Sequence, residues 1–150
     1  MKKLIVIPIL LLAILSVTAR DISDYDYVVT KNATYFCSQI TFGLVKVKCM
    51  LDNGKVITLK PDEVFAYKKD GKIFERMVVY IGNQPTSKLA FMQLIAMKDG
   101  LKLYRYSEPD ESYHGSSSSD YYVFKNKTYM LQICRQNCRQ VFSYFGLKVA

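Results

Sequence analysis

Four cysteines, Cys37, Cys49, Cys134 and Cys138, are the residues of this chain best suited to chemistry, and their spacing restricts what that chemistry is. Zinc ribbons and fingers use paired short spacings such as C-x2-C. This chain offers C-x11-C and C-x3-C, so no metal centre is expected. The lack of C-x-x-C removes thioredoxin-type redox catalysis in the same way. Disulfides remain. If the strands around Cys37 and Cys49 form a hairpin turning at Gly43, each cysteine lies six positions from the turn centre and the two face each other. Opposed Cβ atoms are about 4.5–5.5 Å apart, within modest adjustment of bonding distance. Cys134 and Cys138 form a second possible pair if the helix starts at Asn137 and leaves Cys134 in the segment before it. On one continuous helix their Cβ atoms stand about 5–6 Å apart, too far for an unstrained bond. Free thiols packed as small apolar residues are the third reading.

The remaining reactive types do not converge in sequence. His114 is the only histidine and lies in a Ser-rich insert beside Ser116 to Ser119, where no rigid element holds it to a nucleophile. Glu63, Glu75, Asp99 and Glu108 show no spacing that singles out a catalytic pair. No Gly-rich phosphate loop is present and no cofactor is expected. Tyr104, Tyr106, Tyr121 and Tyr122 are a notable aromatic group: in neighbouring strands they either expose a strip for a ligand or cover one side of the sheet with hydroxyls at its rim. The chain has no Trp, which disfavours a sugar-stacking module. Asn32-Ala33-Thr34 and Asn126-Lys127-Thr128 match the glycosylation acceptor pattern, which matters only in a eukaryotic secretory route.

The elements that would position these residues are strands. Val45, Val47, Cys49 and Leu51 alternate with Lys46, Lys48 and Met50, and Asp52-Asn53-Gly54 then turns the chain into 55–59, a hairpin in which both turn residues should reach positive φ. The signal recurs at Asp70-Gly71 and Asp99-Gly100. Residues 91–97 are nearly continuous in apolar types, which fits a strand covered on both faces. Pro61-Asp62-Glu63 reads as a single turn of helix and a connector. Residues 82–87 read as a loop by composition, and residues 107–120 as the longest low-complexity insert. Strands at 121–125 and 129–133 flank Asn126-Lys127. Cys138, Val141, Phe142 and Phe145 then fall on one face of a helix over 137–145, with Asn137 and Gln140 placed as a capping box and Gly146 placed to end it.

The first nineteen residues set the compartment. Lys2 and Lys3 precede the apolar run 4–17, which Pro8 interrupts, and Val17-Thr18-Ala19 is a small-residue ending, the pattern of a cleaved export signal. The run is shorter than the roughly 20 residues that a membrane-spanning helix needs, so no stable transmembrane segment is expected after cleavage. The chain carries 21 Lys and Arg against 13 Asp and Glu, a net +8. Loss of Lys2 and Lys3 leaves 19 against 13, or +6, for residues 20–150, which form one domain. Export and scattered basic residues exclude nucleic acid as the partner and favour an envelope protein, glycan or lipid. Lys46, Lys48, Lys55, Lys60, Lys68, Lys69 and Lys72 read as solvated outward strand faces.

The run from Leu59-Lys60-Pro61-Asp62-Glu63-Val64 through Tyr67-Lys68-Lys69-Asp70-Gly71-Lys72-Ile73-Phe74, Lys98-Asp99-Gly100-Leu101-Lys102-Leu103-Tyr104 and Tyr121-Tyr122-Val123-Phe124-Lys125 resembles small exported proteins of unknown function from Bacteroidetes-type bacteria. The resemblance covers most of the chain after the signal. It implies an envelope or secreted β domain with a C-terminal helix and brings no catalytic residues.

The chain is therefore expected to be mainly β, an antiparallel curved sheet or open barrel with one C-terminal α-helix, working in the periplasm, at the cell surface or secreted. A non-enzymatic binding or structural module is the leading function. The alternatives are a small hydrolase or isomerase assembled from distant residues, for which convergence at Glu75 or Tyr104 would speak, and an apolar-ligand carrier using a barrel interior.

Overall fold

The structure is a computed structural model and describes residues 25–107 and 119–148. The expected export signal at 1–19, the start at Arg20, and Glu108, His114 and Ser116 to Ser118 of the insert lie outside the described residues. Alternating burial and tight turns build the strands β1 (Asp26–Thr30), β2 (Thr34–Cys37), β3 (Gln39–Phe42), β4 (Val47–Met50) and β5 (Val56–Leu59). A 3-10 turn at Pro61–Glu63 leads into β6 (Val64–Lys69), β7 (Lys72–Ile81), β8 (Gln84–Lys98) and β9 (Leu101–Ser107). Strands β10 (Ser119–Lys125) and β11 (Thr128–Gln132) precede helix α1 (Cys138–Tyr144). All the pairings are antiparallel. They form an eight-stranded sheet in the order β11-β10-β9-β8-β7-β6-β1-β2 and a three-stranded sheet in the order β3-β4-β5. The large sheet is curved and open, as the sequence leads one to expect.

Turn chemistry explains the topology. Asp70 and Gly71 take φ of 52° and 73°, and Asp99 and Gly100 take 50° and 76°, the doubly positive pattern whose twist matches two antiparallel strands. The Asp52-Asn53-Gly54 turn differs from expectation: only Gly54 is at positive φ, 78°. Leu51 N–H donates to Lys55 O and Gly54 N–H to Leu51 O, both at 2.9 Å, while Asn53 Oδ1 accepts from Lys55 N–H at 3.0 Å. This is a three-residue hairpin loop, in which only the last residue needs the left-handed region.

The loop expected over 82–87 is instead a two-residue turn, Gly82-Asn83 with φ of 55° and 69°, followed at once by β8. Pro85 suggested a loop because it lacks a ladder donor. It is tolerated because that end of β8 pairs only with β7, the β9 ladder beginning at Gln93. Helix α1 buries the expected stripe only halfway, and Gly146 ends it as foreseen: Gly146 N–H bonds Ser143 O at 3.0 Å and Leu147 N–H bonds Phe142 O at 2.9 Å, a Schellman closure. The capping box does not form. Asn137 turns its side chain backwards, Oδ1 accepting from Cys134 N–H at 2.7 Å and Nδ2 donating to Gln132 O at 3.2 Å.

Register sorts the side chains into two cores, because residues paired across a ladder point the same way. On one face, Met77, Val79, Met92, Tyr104, Tyr106, Tyr122 and Phe124 pack together. Register shifts in β7–β8, β8–β9 and β10–β11 mark bulges, which raise local twist. The β7–β11 half curls until Tyr80 stacks on Tyr129 with ring centroids 3.9 Å apart. Tyr122 OH donates to Tyr80 O at 3.0 Å, and Tyr129 OH donates to Asn83 Oδ1. On the other face, the three-stranded sheet covers β1, β2 and β6 through Val28, Cys37, Ile40, Val47, Cys49 and Val64, joined by Phe42, Tyr67 and Phe91. Further along this face Phe142 of α1 meets Tyr121 edge-on at 5.2 Å. Tyr144 anchors the helix to the β8–β9 turn, its hydroxyl donating to Asp99 Oδ2 at 2.8 Å and its carbonyl accepting from Lys98 Nζ at 2.9 Å.

Phe91 and Met92 are neighbours in β8 yet serve opposite cores, so the run 91–97 is a strand, covered on both faces at Phe91 and Met92 and opening to solvent at Met97. Met92→Ala is expected to cost about 2–5 kcal/mol, the range for truncating a fully buried methionine. Met97→Ala, on the same strand but 65% exposed, should stay within about 0.5 kcal/mol of the parent. Urea unfolding of both variants checks the difference.

Candidate functional site

Strand alternation distributes the four tyrosines. Tyr104 and Tyr106 point to one face of β9, and the register places Tyr122 opposite Tyr104 on that same face. All three are buried, at 1%, 5% and 1% exposure, and belong to the core of the curl. Tyr121 falls on the opposite face, under Phe142. The four therefore do not form one exposed strip; bulges curl the sheet over three of them, and α1 covers the fourth.

Burial requires that the hydroxyls find partners. Tyr104 OH donates to Glu75 Oε2 at 2.8 Å, and Lys102 Nζ meets Glu75 Oε1 at 2.7 Å. Burial first, then the Glu75 carboxylate, holds the Tyr104 phenol well above its ordinary value. Glu75 and Tyr104 thus converge, and Lys102 is the member that sequence reasoning missed. Its signal was present only as alternation with Tyr104 on β9.

Above this network, the end of the β7–β8 hairpin and strands β9 to β11 enclose a cleft of about 380 Å³. Val79, Tyr80, Tyr106 and Tyr122 form its floor, and Thr86, Lys88, Asp120 and Gln132 its rim. Thr86 OH donates to Val79 O at 2.8 Å, and Lys88 Nζ lies 5.6 Å from the centroid of the Tyr106 ring, within cation–π reach. Gln132 Nε2 donates to Asp120 Oδ1 at 3.4 Å. Asp120 is placed here by its pairing with Tyr106. Just beyond, Ser107 and Ser119 pair across β9–β10 with their hydroxyls 3.0 Å apart, bringing the two ends of the 107–120 insert together at the cleft. The cleft thus presents an apolar floor with an ammonium, a carboxylate and an amide around it.

The cysteines depart from the expected hairpin. Gly43 N–H bonds Lys46 O at 2.9 Å, so the turn occupies 43–46, pairing Phe42 with Val47 and setting Cys49 opposite Ile40. Cys37 belongs to the other sheet, opposite Asp26, because the chain changes sheets at Ser38, whose N–H and Oγ both donate to Met50 O. The two thiols nevertheless meet between the sheets, within hydrogen-bond reach of each other. All four cysteines are free thiols. Burial pushes the Cys37 thiol up to about 12, with Cys49 adding to the rise. Burial also raises Cys49, partly offset by its hydrogen bond with Cys37. Cys134 and Cys138 are not bridged: Cys138 Sγ donates to Arg135 O at 3.4 Å, and Cys138 N–H bonds Cys134 O at 2.9 Å as in a helical turn.

A second cleft, of about 390 Å³, opens beside Cys37, lined by Tyr25, Asp26, Ser38, Asp52 and Asp70. Asp26 is engaged there, accepting from Asp70 N–H at 3.0 Å. Among the described residues no group of His, Cys, Asp and Glu is placed to hold a metal ion, and no helix is long and apolar enough to cross a membrane. A scan against protein-family models, a search of curated proteins and a search of solved structures each find no match to this chain.

Because the Tyr104 pKa is raised in the fold above its unfolded value of about 10, the unfolded chain releases this proton first. The associated stability is complete below about pH 10 and falls as pH rises beyond it. Thermal melts across the alkaline range, with tyrosinate absorbance followed in parallel, should show this loss. Tyr104→Phe should make the loss shallower without abolishing it, because Tyr67, Cys37 and Cys49 are raised by burial as well, and should cost about 1–3 kcal/mol at neutral pH, since Glu75 loses a hydrogen bond.

Proposed function

We propose that the protein is a non-enzymatic binding module acting outside the cytoplasm, in the periplasm, at the cell surface or secreted, and that its ligand occupies the cleft over Tyr106. The observation that carries this reading is the lining: a rigid aromatic floor held by the core, ringed by Lys88, Asp120 and Gln132. Such a lining suits an envelope ligand with an apolar body and hydrogen-bonding ends. The Glu75 cluster supports the non-enzymatic side. Its carboxylate is engaged by both Lys102 and Tyr104, and Tyr104 is 1% exposed, so the group braces the sheet instead of meeting a substrate. The interior of the curl is filled by Met77, Met92, Tyr104, Tyr122 and Phe124, which leaves an apolar-ligand carrier no chamber there.

The test is retention of components of a solubilised envelope fraction on the immobilised protein, with amide shifts at Lys88 and Tyr106 followed by NMR as each component is added back. A specific component is expected to shift these amides and to lose at least about tenfold in affinity for Lys88→Glu and for Asp120→Lys. Equal retention by both variants, or turnover of an envelope substrate, would remove the reading.

The same reading makes Cys37 and Cys49 a disulfide in the exported protein. A thiol–disulfide exchange partner would take two hydrogens from the pair and tie β2 to β4, adding about 2–4 kcal/mol of stability. Mass measurement before and after reduction, with peptide mapping, should find two hydrogens lost at this pair and Cys134 and Cys138 still open to alkylation. A bond mapped elsewhere, or none, would overturn the pairing.

A further inference from the structure

The turn between β3 and β4 is built against the usual rule for turns. Turn positions favour Gly, Asn, Asp, Ser and Pro, yet the two central positions here are Leu44 and Val45. The Gly43–Lys46 hydrogen bond closes the turn beneath them at 2.9 Å, and they stand 103% and 82% exposed. Exposed apolar residues scattered singly are ordinary. Two adjacent aliphatic side chains, free of the fold at the tip of a hairpin, are a different feature.

The collar around this tip is basic. Lys46 follows the tip directly, and Lys48 lies on the exposed face of β4, opposite Thr41 and Thr58. Lys60 comes immediately after Leu59, the partner of Val47, so it stands at the same end of the small sheet. Lys31, in the β1–β2 turn, lines a neighbouring cleft of about 420 Å³ together with Leu59, Asp62 and Glu63. Phe65, also on this cleft, is 46% exposed. Asp62 and Glu63 are the acidic groups at this end, and one Glu63 oxygen is bound to Lys60 N–H at 2.8 Å. Among the described residues, four lysines against two carboxylates leave this end positive.

We infer that the Leu44–Val45 tip is a membrane-docking loop that inserts into an anionic phospholipid surface, with Lys46, Lys48, Lys60 and Lys31 resting among the headgroups. The order of the chemistry along the hairpin matches the order of the chemistry across a bilayer interface: aliphatic tip at the acyl boundary, ammonium groups at the level of the phosphates. Lysine stems can lie along the apolar boundary while their charges stay at the headgroups. A protein partner would call for a broader apolar face, whereas the strand face behind this tip carries Gln39, Thr41, Lys48 and Thr58, with its exposed apolar residues Met50 and Val56 at the end of the small sheet away from the tip. The inference goes beyond the ligand cleft and does not depend on it.

Burying a Leu or Val side chain is worth about ten- to a hundredfold in partitioning, and each lysine near an anionic surface about fivefold. Binding should therefore be reversible and salt-sensitive. The test uses protein recovered from the exported fraction and co-sedimentation with vesicles of phosphatidylcholine alone or with phosphatidylglycerol. The expected result is binding to the phosphatidylglycerol vesicles, at least tenfold weaker on phosphatidylcholine and weakened by salt. Leu44→Asp/Val45→Asp and Lys46→Glu/Lys48→Glu should each lose at least tenfold, with unchanged urea midpoints because these side chains are exposed. In nanodiscs carrying a paramagnetic acyl label, the amide signals of Leu44 and Val45 should broaden first. Failure of the parent to bind phosphatidylglycerol vesicles, full retention by the tip variant, or a tip-dependent protein partner without lipid binding would each overturn the inference.

Discussion

The structure depends on the two-sidedness of β8. A strand with a core on each face cannot slip by one residue without exchanging both sets of side chains, so the Phe91/Met92 boundary fixes the register of the whole large sheet. From it, one core is assembled by the sheet folding over its own β7–β11 half and the other by the three-stranded sheet laid against β1, β2 and β6. The protein thus gains two packed layers from a chain whose individual strands mostly run to seven residues or fewer.

Closure of the curl is achieved by side chains instead of a ladder. Strands β7 and β11 exchange no backbone pairing; Tyr80 and Tyr129 stack, and the Tyr122 hydroxyl reaches the Tyr80 carbonyl. Aromatic contacts tolerate displacement better than a hydrogen-bonded strand pair does, which leaves room for the cleft between the hairpin end and the rim of β10 and β11. Cleft and curl are therefore one feature, since the bulges that bend the sheet also open the groove. The Glu75–Lys102–Tyr104 cluster braces the same bend from inside.

Much of the fold was legible because hairpins are local. Asp70-Gly71 and Asp99-Gly100 announce turns through residues that tolerate positive φ, and the Cys138, Val141, Phe142, Phe145 stripe announces the face that α1 turns to the sheet. What was hidden depends on contacts between distant strands. Gly82-Asn83 was obscured by Pro85, whose missing donor matters only if β9 extends that far. The meeting of Cys37 and Cys49 comes from a change of sheet at Ser38, which a simple hairpin count cannot foresee. The cleft was least legible: Lys88, Asp120 and Gln132 are ordinary surface residues until bulges bring three strands around them.

Ser107 and Ser119 give the molecule a place where its length can vary. Ser107 and Ser119 meet at a completed ladder, and for a flexible connection between ends held this close the closure entropy would grow only with the logarithm of its length. Residues could be added or lost at this point without disturbing either core, and they would leave and rejoin the fold at the lip of the Tyr106 cleft. The architecture thus separates a packed frame from an edge that meets solvent, in the way that antibody loops are carried on a sandwich.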